Sequence, residues 1–239
     1  MRIVLFGNQG HGTTALREIL KHASVTGVVS KPRKKRKTRI KAAIYRAISQ
    51  FEDPFYAYTH PSMMGANYIP SGKMDSVLDL PKPDLIIACS FHRLIPKQIT
   101  DLAPAVNIHP GLLPQRGGGT PNRWAIYKGD EYTGVSAHLM TNEFDAGDLI
   151  WQKKLGINKG ELWGDLETRL DPLVQETVAY VLKTPPEQWK RIPQTPEMQP
   201  PFKQMASDEL IDRGGVVCRA TLPKFCGVGR CRFFRECRL

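Results

Sequence analysis

The chain reads as an α/β fold built on a parallel sheet, and three stretches carry that reading. The first is an opening that runs apolar strand, glycine-rich turn, helical pattern, apolar strand: Ile3 to Phe6, then Gly7-Asn8-Gln9-Gly10-His11-Gly12, then Thr13 to His22, then Val25 to Val29. Two fully apolar strands joined through a helix are the pattern of a βαβ unit whose strands are buried on both faces. The second is a pair of further buried strands, Asp84 to Cys89 (DLIIAC) and Ala105 to Ile108 (AVNI), with Ile95 to Leu102 between them suited to a short helix. The third is Glu161 to Leu182, where Leu162, Leu166, Leu170, Val174, Val178 and Val181 recur at spacings of three and four and so share one helical face. Together they predict a Rossmann-like parallel sheet flanked by helices, with a short irregular C-terminal extension.

Within the opening, the glycines fall as G-x-x-G-x-G rather than G-x-G-x-x-G, and no acidic residue ends the second strand to hold a ribose. A dinucleotide site is therefore disfavoured. A tight turn is the plain reading of this loop, yet it also sets Gly10, His11 and Gly12 at a helix N-terminus, where backbone amides can hold a substrate phosphate. From about Lys41 to Leu80, Pro54, Pro61, Pro70 and several glycines interrupt any long period, and no elements are assigned. Val135 to Met140 and Leu149 to Lys153 form two more strands, joined by an acidic turn. Pro172 is expected to kink the long helical segment or split it in two. After Thr184 the composition changes, with Pro185, Pro186, Pro193, Pro196, Pro200 and Pro201 setting an extended stretch. The expected division is a main domain over 1–184 and a proline-rich, basic extension over 185–239.

A chain of 239 residues with 41% hydrophobic and 24% charged residues has the balance of a soluble globular protein with one main domain. No apolar run approaches the ~20 residues that span a bilayer. Arg2 is followed at once by the first strand, which leaves no room for a signal peptide, so a cytoplasmic location is expected. The net charge of +11 invites a nucleic-acid reading, but two segments account for all of it. Lys31 to Lys41 carries eight basic residues and no acid, and Arg213 to Leu239 a net +6, which leaves the body slightly acidic. That is not the surface of a nucleic-acid platform, although a basic loop or tail still attracts phosphates over a short range. Cys89 reads as a small core residue. The spacing of Cys218, Cys226, Cys231 and Cys237 does not match a structural zinc site, and no metal is expected.

Asn107 and His109 stand two apart at the end of the Ala105 strand, so the pleat points both side chains to one face. Carboxyl ends of strands are where open α/β sheets bind ligands. By itself, Asn-x-His before Pro110 also fits a turn with satisfied polar groups. The wider segment, Asn107-Ile108-His109-Pro110-Gly111-Leu112-Leu113-Pro114, is similar to the Asn-x-His-x-Ser-Leu-Leu-Pro segment of the folate-dependent formyltransferase family. Met140-Thr141-Asn142-Glu143-Phe144-Asp145-Ala146-Gly147-Asp148 resembles that family's aspartate-bearing loop, and Thr133-Gly134-Val135-Ser136 its T-G-V strand. The resemblance covers roughly 1–182 and is strongest from Asp84 to Ile150. The departure is Gly111, where the family usually has a serine that is not itself catalytic.

The resemblance implies a formyltransferase catalytic domain over 1–184, N10-formyltetrahydrofolate as formyl donor, and Asn107, His109 and Asp145 as catalytic residues. Attack of an amine on the formyl carbon builds negative charge on the formyl oxygen, which an Asn107 amide and a protonated His109 would stabilise, with Asp145 orienting His109 and helping to remove the amine's proton. The family's folate slot, built largely from backbone, falls on Phe91, Arg93, Leu94 and Ile95 and on Met140, Thr141, Asn142 and Glu143, with Phe144 a further apolar wall. The family's acceptors are methionyl-tRNA, glycinamide ribonucleotide and nucleotide-linked amino sugars. Arg116, Gly117, Pro121 and Trp124 look more like the tRNA and sugar branches than the glycinamide branch. The residues after the helical segment are too few for the tRNA branch's barrel domain, so the expected acceptor is a dTDP-linked 4-amino or 3-amino dideoxy sugar of the kind used in lipopolysaccharide or other surface-glycan synthesis. Gly10, His11, Gly12 and Trp124 are expected to contact it. The basic run from Lys31 argues for tRNA, since that branch has a basic loop at a similar position. A catalytically impaired folate or nucleotide-sugar binding protein is the third reading, against which the three residues together speak. No membrane partner is expected, and a homodimer is left open.

Overall fold

A computed structural model of the chain describes residues 1–7, 10–31 and 67–195. The basic run past Lys31 and the tail with Cys218, Cys226, Cys231 and Cys237 lie outside the described residues. In chain order the elements are β1 (Arg2–Phe6), α1 (His11–Leu20), β2 (Ser24–Ser30), β3 (Tyr68–Pro70), a 3₁₀ segment (Ser71–Asp79), β4 (Leu85–Cys89), the one-turn α2 (Lys97–Thr100), β5 (Ala105–His109), α3 (Pro121–Lys128), β6 (Tyr132–Leu139), β7 (Leu149–Gly156), α4 (Trp163–Lys183) and a 3₁₀ turn (Pro186–Gln188). The seven strands form one sheet in the order β3-β2-β1-β4-β5-β6-β7. β1 pairs in parallel with β2 and β4, and β2 with β3. β7 departs from the expected parallel pattern by pairing antiparallel with β6. The two are joined by a loop without a crossover helix, which only antiparallel neighbours allow.

The chain divides into two compact units between Val106 and Asn107. In the first, Ile3, Val4, Leu5 and Phe6 are wholly buried, as a strand with parallel partners on both edges requires. α1 lays Ala15, Leu16 and Ile19 into the core. It starts at His11, two residues before the apolar pattern suggested. A Cβ at Gly7 would lie 2.0 Å from the Cys89 carbonyl oxygen and one at Gly12 2.7 Å from it, so glycine at these two positions lets the end of β1 and the first turn of α1 approach the end of β4.

In the second unit, α4 packs Leu166, Leu170, Val174, Val178 and Val181 toward β6 and β7. Pro172 does not divide it; the helix is continuous for 21 residues. Both Pro172 and Thr168, whose carbonyl loses its usual partner to the proline, are solvent-exposed, so water can replace the missing bond. A proline inside a helix costs about 3 kcal/mol, and burial of five aliphatic side chains at about 1.5–3 kcal/mol each outweighs it. The chain past Thr184 returns to the body: Trp189 is 5% exposed and Ile192 forms an antiparallel bridge with Leu149. Among the described residues, no helix is long and apolar enough to cross a membrane, and no cluster of His, Cys, Asp and Glu could hold a metal ion.

Candidate active site

Asn107 and His109 leave the same strand, β5, and the turn that follows is held from β6 and β7. Ser136 Oγ donates to the Gly111 carbonyl (2.7 Å) and accepts from the Leu113 amide (3.1 Å). Gln152 Nε2 donates to the Leu113 carbonyl (2.7 Å) and to Ser136 Oγ (2.9 Å). The T-G-V strand singled out by sequence thus serves, through Ser136, to brace the Asn-x-His turn.

Asp145 comes to the same place on the loop between β6 and β7, in a left-handed backbone conformation (φ 55°). Aspartate tolerates that region better than most residues. Its Oδ2 accepts the Gly118 amide at 2.6 Å. Its Oδ1 lies 3.1 Å from Asn107 Nδ2, 3.3 Å from His138 Nε2 and 3.5 Å from His109 Nδ1. The three ionisable side chains are nearly closed to solvent, with 9% of Asp145, 5% of His109 and 3% of His138 exposed.

Hydrogen-bond partners assign the protons. His109 Nε2 lies 2.7 Å from the Arg116 carbonyl, which can only accept, so Nε2 carries hydrogen and Nδ1 faces Asp145. His138 Nδ1 donates to the Leu139 carbonyl (2.8 Å), leaving its Nε2 to accept from Asn107 Nδ2 at 3.0 Å. Both amide hydrogens of Asn107 are therefore in use, one on Asp145 and one on His138. Burial alone would raise the Asp145 pKa, but the positive charges of His109 and His138 in their protonated forms, with the hydrogen bond from the Gly118 amide, hold it well below the usual carboxylate range. Asp145 is the fixed anion of the site. Burial pushes the His109 pKa below 6.5, and Asp145 and the Arg116 carbonyl only partly oppose it. The result is a histidine that is neutral at rest and has two acceptors waiting for its charged form.

Gly111 has a specific place here. A Cβ on it would lie 2.7 Å from Pro121 Cβ, 2.9 Å from His109 Nε2 and 3.0 Å from the Arg116 carbonyl oxygen. The departure from serine therefore bears on the seat of the His109 ring, beyond the stiffness of the loop. The Arg116 guanidinium is held by Asp130 in a bidentate pair.

The structure brings Asn107, His109 and Asp145 together. The other expected site residues are described within their own units. In the first unit, Phe91 is half-buried and meets Phe6 edge-on (5.3 Å), Arg93 donates to the Ser71 carbonyl (2.7 Å), Leu94 is exposed and Ile95 belongs to the core. Gly10 precedes α1 with open space around it, and His11 and Gly12 are buried in its first turn. In the second unit, Met140 is half-buried, Thr141, Asn142, Glu143 and Phe144 are exposed, and Trp124 pairs edge-on with Tyr127 on α3 (5.7 Å). Sequence reasoning missed His138, the Gly118 amide and the Arg116 carbonyl. His138 had a signal, since it lies two residues past Ser136 on β6 and so shares its face; the backbone groups had none.

The sequence model of the formyl transferase family matches residues 1–182. A methionyl-tRNA formyltransferase of a Nitratiruptor species is 30% identical over 189 residues, covering 77% of this chain and 60% of that protein. The chain thus spans less than two thirds of that relative's length. Among solved structures, a 4-N formyltransferase from Francisella tularensis shares the fold with a TM-score of 0.61 at 19% identity, over 88% of this chain and 78% of that one. HypX from Aquifex aeolicus, in complex with tetrahydrofolic acid, does so with a TM-score of 0.60 at 21% identity, over 87% of this chain and 30% of that one.

Proposed function

We propose, on the premise that this chain belongs to the formyl transferase family, that its site moves the formyl group of N10-formyltetrahydrofolate onto a primary amine, with Asn107, His109 and Asp145 acting on the reacting atoms. The observation that carries this reading is the convergence of an amide donor and a histidine on one buried carboxylate oxygen, at 3.1 and 3.5 Å. The amine nitrogen attacks the formyl carbon and the C=O electron pair moves onto oxygen. On collapse the C–N10 bond breaks, N10 keeps the pair and takes up a proton, and the amine loses one; the products are a formamide and tetrahydrofolate. With Nε2 already protonated toward the Arg116 carbonyl, Nδ1 is the position at which His109 takes the amine's proton. Asp145 beside it stabilises the imidazolium that forms. Asn107 reaches the oxyanion by exchanging its neutral bond to His138 for a charge-assisted one, which is the stronger. Folate recognition is assigned, by resemblance, to Phe91, Arg93, Leu94 and Ile95 and to Met140, Thr141, Asn142 and Glu143.

For the acceptor, similarity at 30% identity to a protein whose activity is methionyl-tRNA formylation puts the amino group of methionyl-tRNA first. The nucleotide-linked amino sugar expected from the sequence stands second. Its support is the likeness to the 4-N formyltransferase, which concerns the fold. The test is to incubate the protein with N10-formyltetrahydrofolate and either charged initiator tRNA or a panel of dTDP-amino sugars, following tetrahydrofolate by absorbance and the formamide by mass. Turnover of tRNA alone supports the first acceptor, turnover of a sugar alone reverses the order, and no turnover with either overturns formyl transfer.

A further inference from the structure

Beyond α4 the chain runs back along β7. Ile192 and Leu149 exchange backbone hydrogen bonds in both directions, each 2.9 Å, as an isolated antiparallel bridge. In that register, residue 194 lies opposite residue 147. There a side chain takes over from the backbone: Gln194 Nε2 donates to the Gly147 carbonyl at 2.6 Å and to the Asp145 carbonyl at 2.8 Å. Swapping the amide's nitrogen and oxygen would set an oxygen against two carbonyls, so the orientation is determined. The amide oxygen is left buried with no hydrogen-bond partner. A buried acceptor without a donor is a standing cost, so stability alone does not account for glutamine at this place.

The two carbonyls that Gln194 holds flank Ala146 and include that of Asp145 itself, the residue with φ 55°. The base of this loop is closed by the Leu139 amide on the Asp148 carbonyl (2.9 Å), and Gly147 sits so tightly that a Cβ would meet the Leu139 carbonyl oxygen at 1.9 Å. We propose that Gln194 is a positioning residue: by bridging the carbonyls of Asp145 and Gly147 it fixes the backbone that aims the Asp145 carboxylate at Asn107, His109 and the Gly118 amide. The inference builds on the formyl-transfer reading, but its geometry can be tested without turnover.

Gln194→Met keeps length and volume and removes both donors, and Gln194→Glu sets a carboxylate against the same carbonyls. The first measurement is the titration of the His109 ring by NMR in the protein without substrate. His109 faces Asp145, His138 and the Arg116 carbonyl, and of these Asp145 raises its pKa most. A displaced Asp145 should therefore move the His109 titration to lower pH in both variants while circular dichroism stays that of the parent. In turnover, kcat should fall on the order of 10-fold to 10²-fold, with KM for the formyl donor within about twofold. In an Asp145→Asn background the same change should cost less than about twofold more. An unmoved His109 titration in folded variants overturns the proposal whatever the activity, and so does a fully multiplicative loss with Asp145→Asn. A parent inactive on every acceptor, with the His109 shift present, would overturn formyl transfer and leave the positioning role standing.

Discussion

Replacing Asp145 by asparagine keeps the shape of the side chain and takes away its charge, and the structure says what each contact would lose. An asparagine that keeps its oxygen on the Gly118 amide, now at 2.6 Å, turns its NH₂ toward Asn107 Nδ2, now at 3.1 Å. Two donors then face each other, and Asn107 loses an acceptor in a buried site, at about 1–3 kcal/mol. For a domain of this size that corresponds to a melting point lower by about 2–12 °C. The chemical loss is larger. The imidazolium of His109 forms without its counter-charge in a pocket where the ring is only 5% exposed, so kcat should fall on the order of 10² to 10⁴, about 2.7–5.4 kcal/mol of barrier. His109→Gln should cost a similar amount, and the double variant much less than the product of the two, because both changes remove the same stabilised ion pair. Single-turnover formyl transfer at saturating donor is the assay, with circular dichroism and melting as controls for folding. Folded single variants with near-full kcat would refute the assigned chemistry, and a multiplicative double variant would refute the coupling between Asp145 and His109.

Asn107→Ala should lower kcat by roughly 10² to 10³ with little change in folate affinity, as read by steady-state kinetics beside a folate titration; an equal loss in both would make Asn107 a folate ligand rather than an oxyanion donor. Gly111→Ser sets a Cβ 2.9 Å from His109 Nε2, so it should destabilise by about 1–3 kcal/mol and disturb the His109 ring resonances, and denaturation with unchanged midpoint and ring signals would contradict that contact. Burial depresses the folded pKa of His109 below 6.5, so its stabilising contribution is full above about 6.5 and is lost as pH falls toward the folded value. Asp145, held low in the fold, adds its own loss only below about 3.9. Melting points taken from pH 8 to pH 5 should therefore fall on the acid side with a slope that His109→Gln reduces, and an identical slope in that variant would remove His109 as the cause.

The strands were legible because burial on both faces writes itself as uninterrupted apolar runs: the stretches read as Ile3 to Phe6 and Asp84 to Cys89 differ by one residue at the start from the observed Arg2–Phe6 and Leu85–Cys89. The antiparallel turn of β7 was less so, since a loop and a crossover differ by the partner a strand finds and hardly by its own residues. At Pro172 the alternative of a split helix is overruled, because the broken bond lies on the solvent side of a helix anchored by its other face.

The same division runs through the site. By itself the sequence determined that Asn107 and His109 share a face, since the pleat has a period of two, and its motif resemblance pointed to Asp145 as their partner. Only the tertiary structure decided which protons they carry and what holds them. His109 takes its tautomer from the Arg116 carbonyl, Asn107 spends its second hydrogen on His138, and Asp145 rests on the Gly118 amide and, through its own carbonyl, on Gln194. Two of those partners are backbone groups, which nearly every residue possesses and no sequence marks, and the other two come from a strand and a returning segment that only folding brings within a hydrogen bond's length.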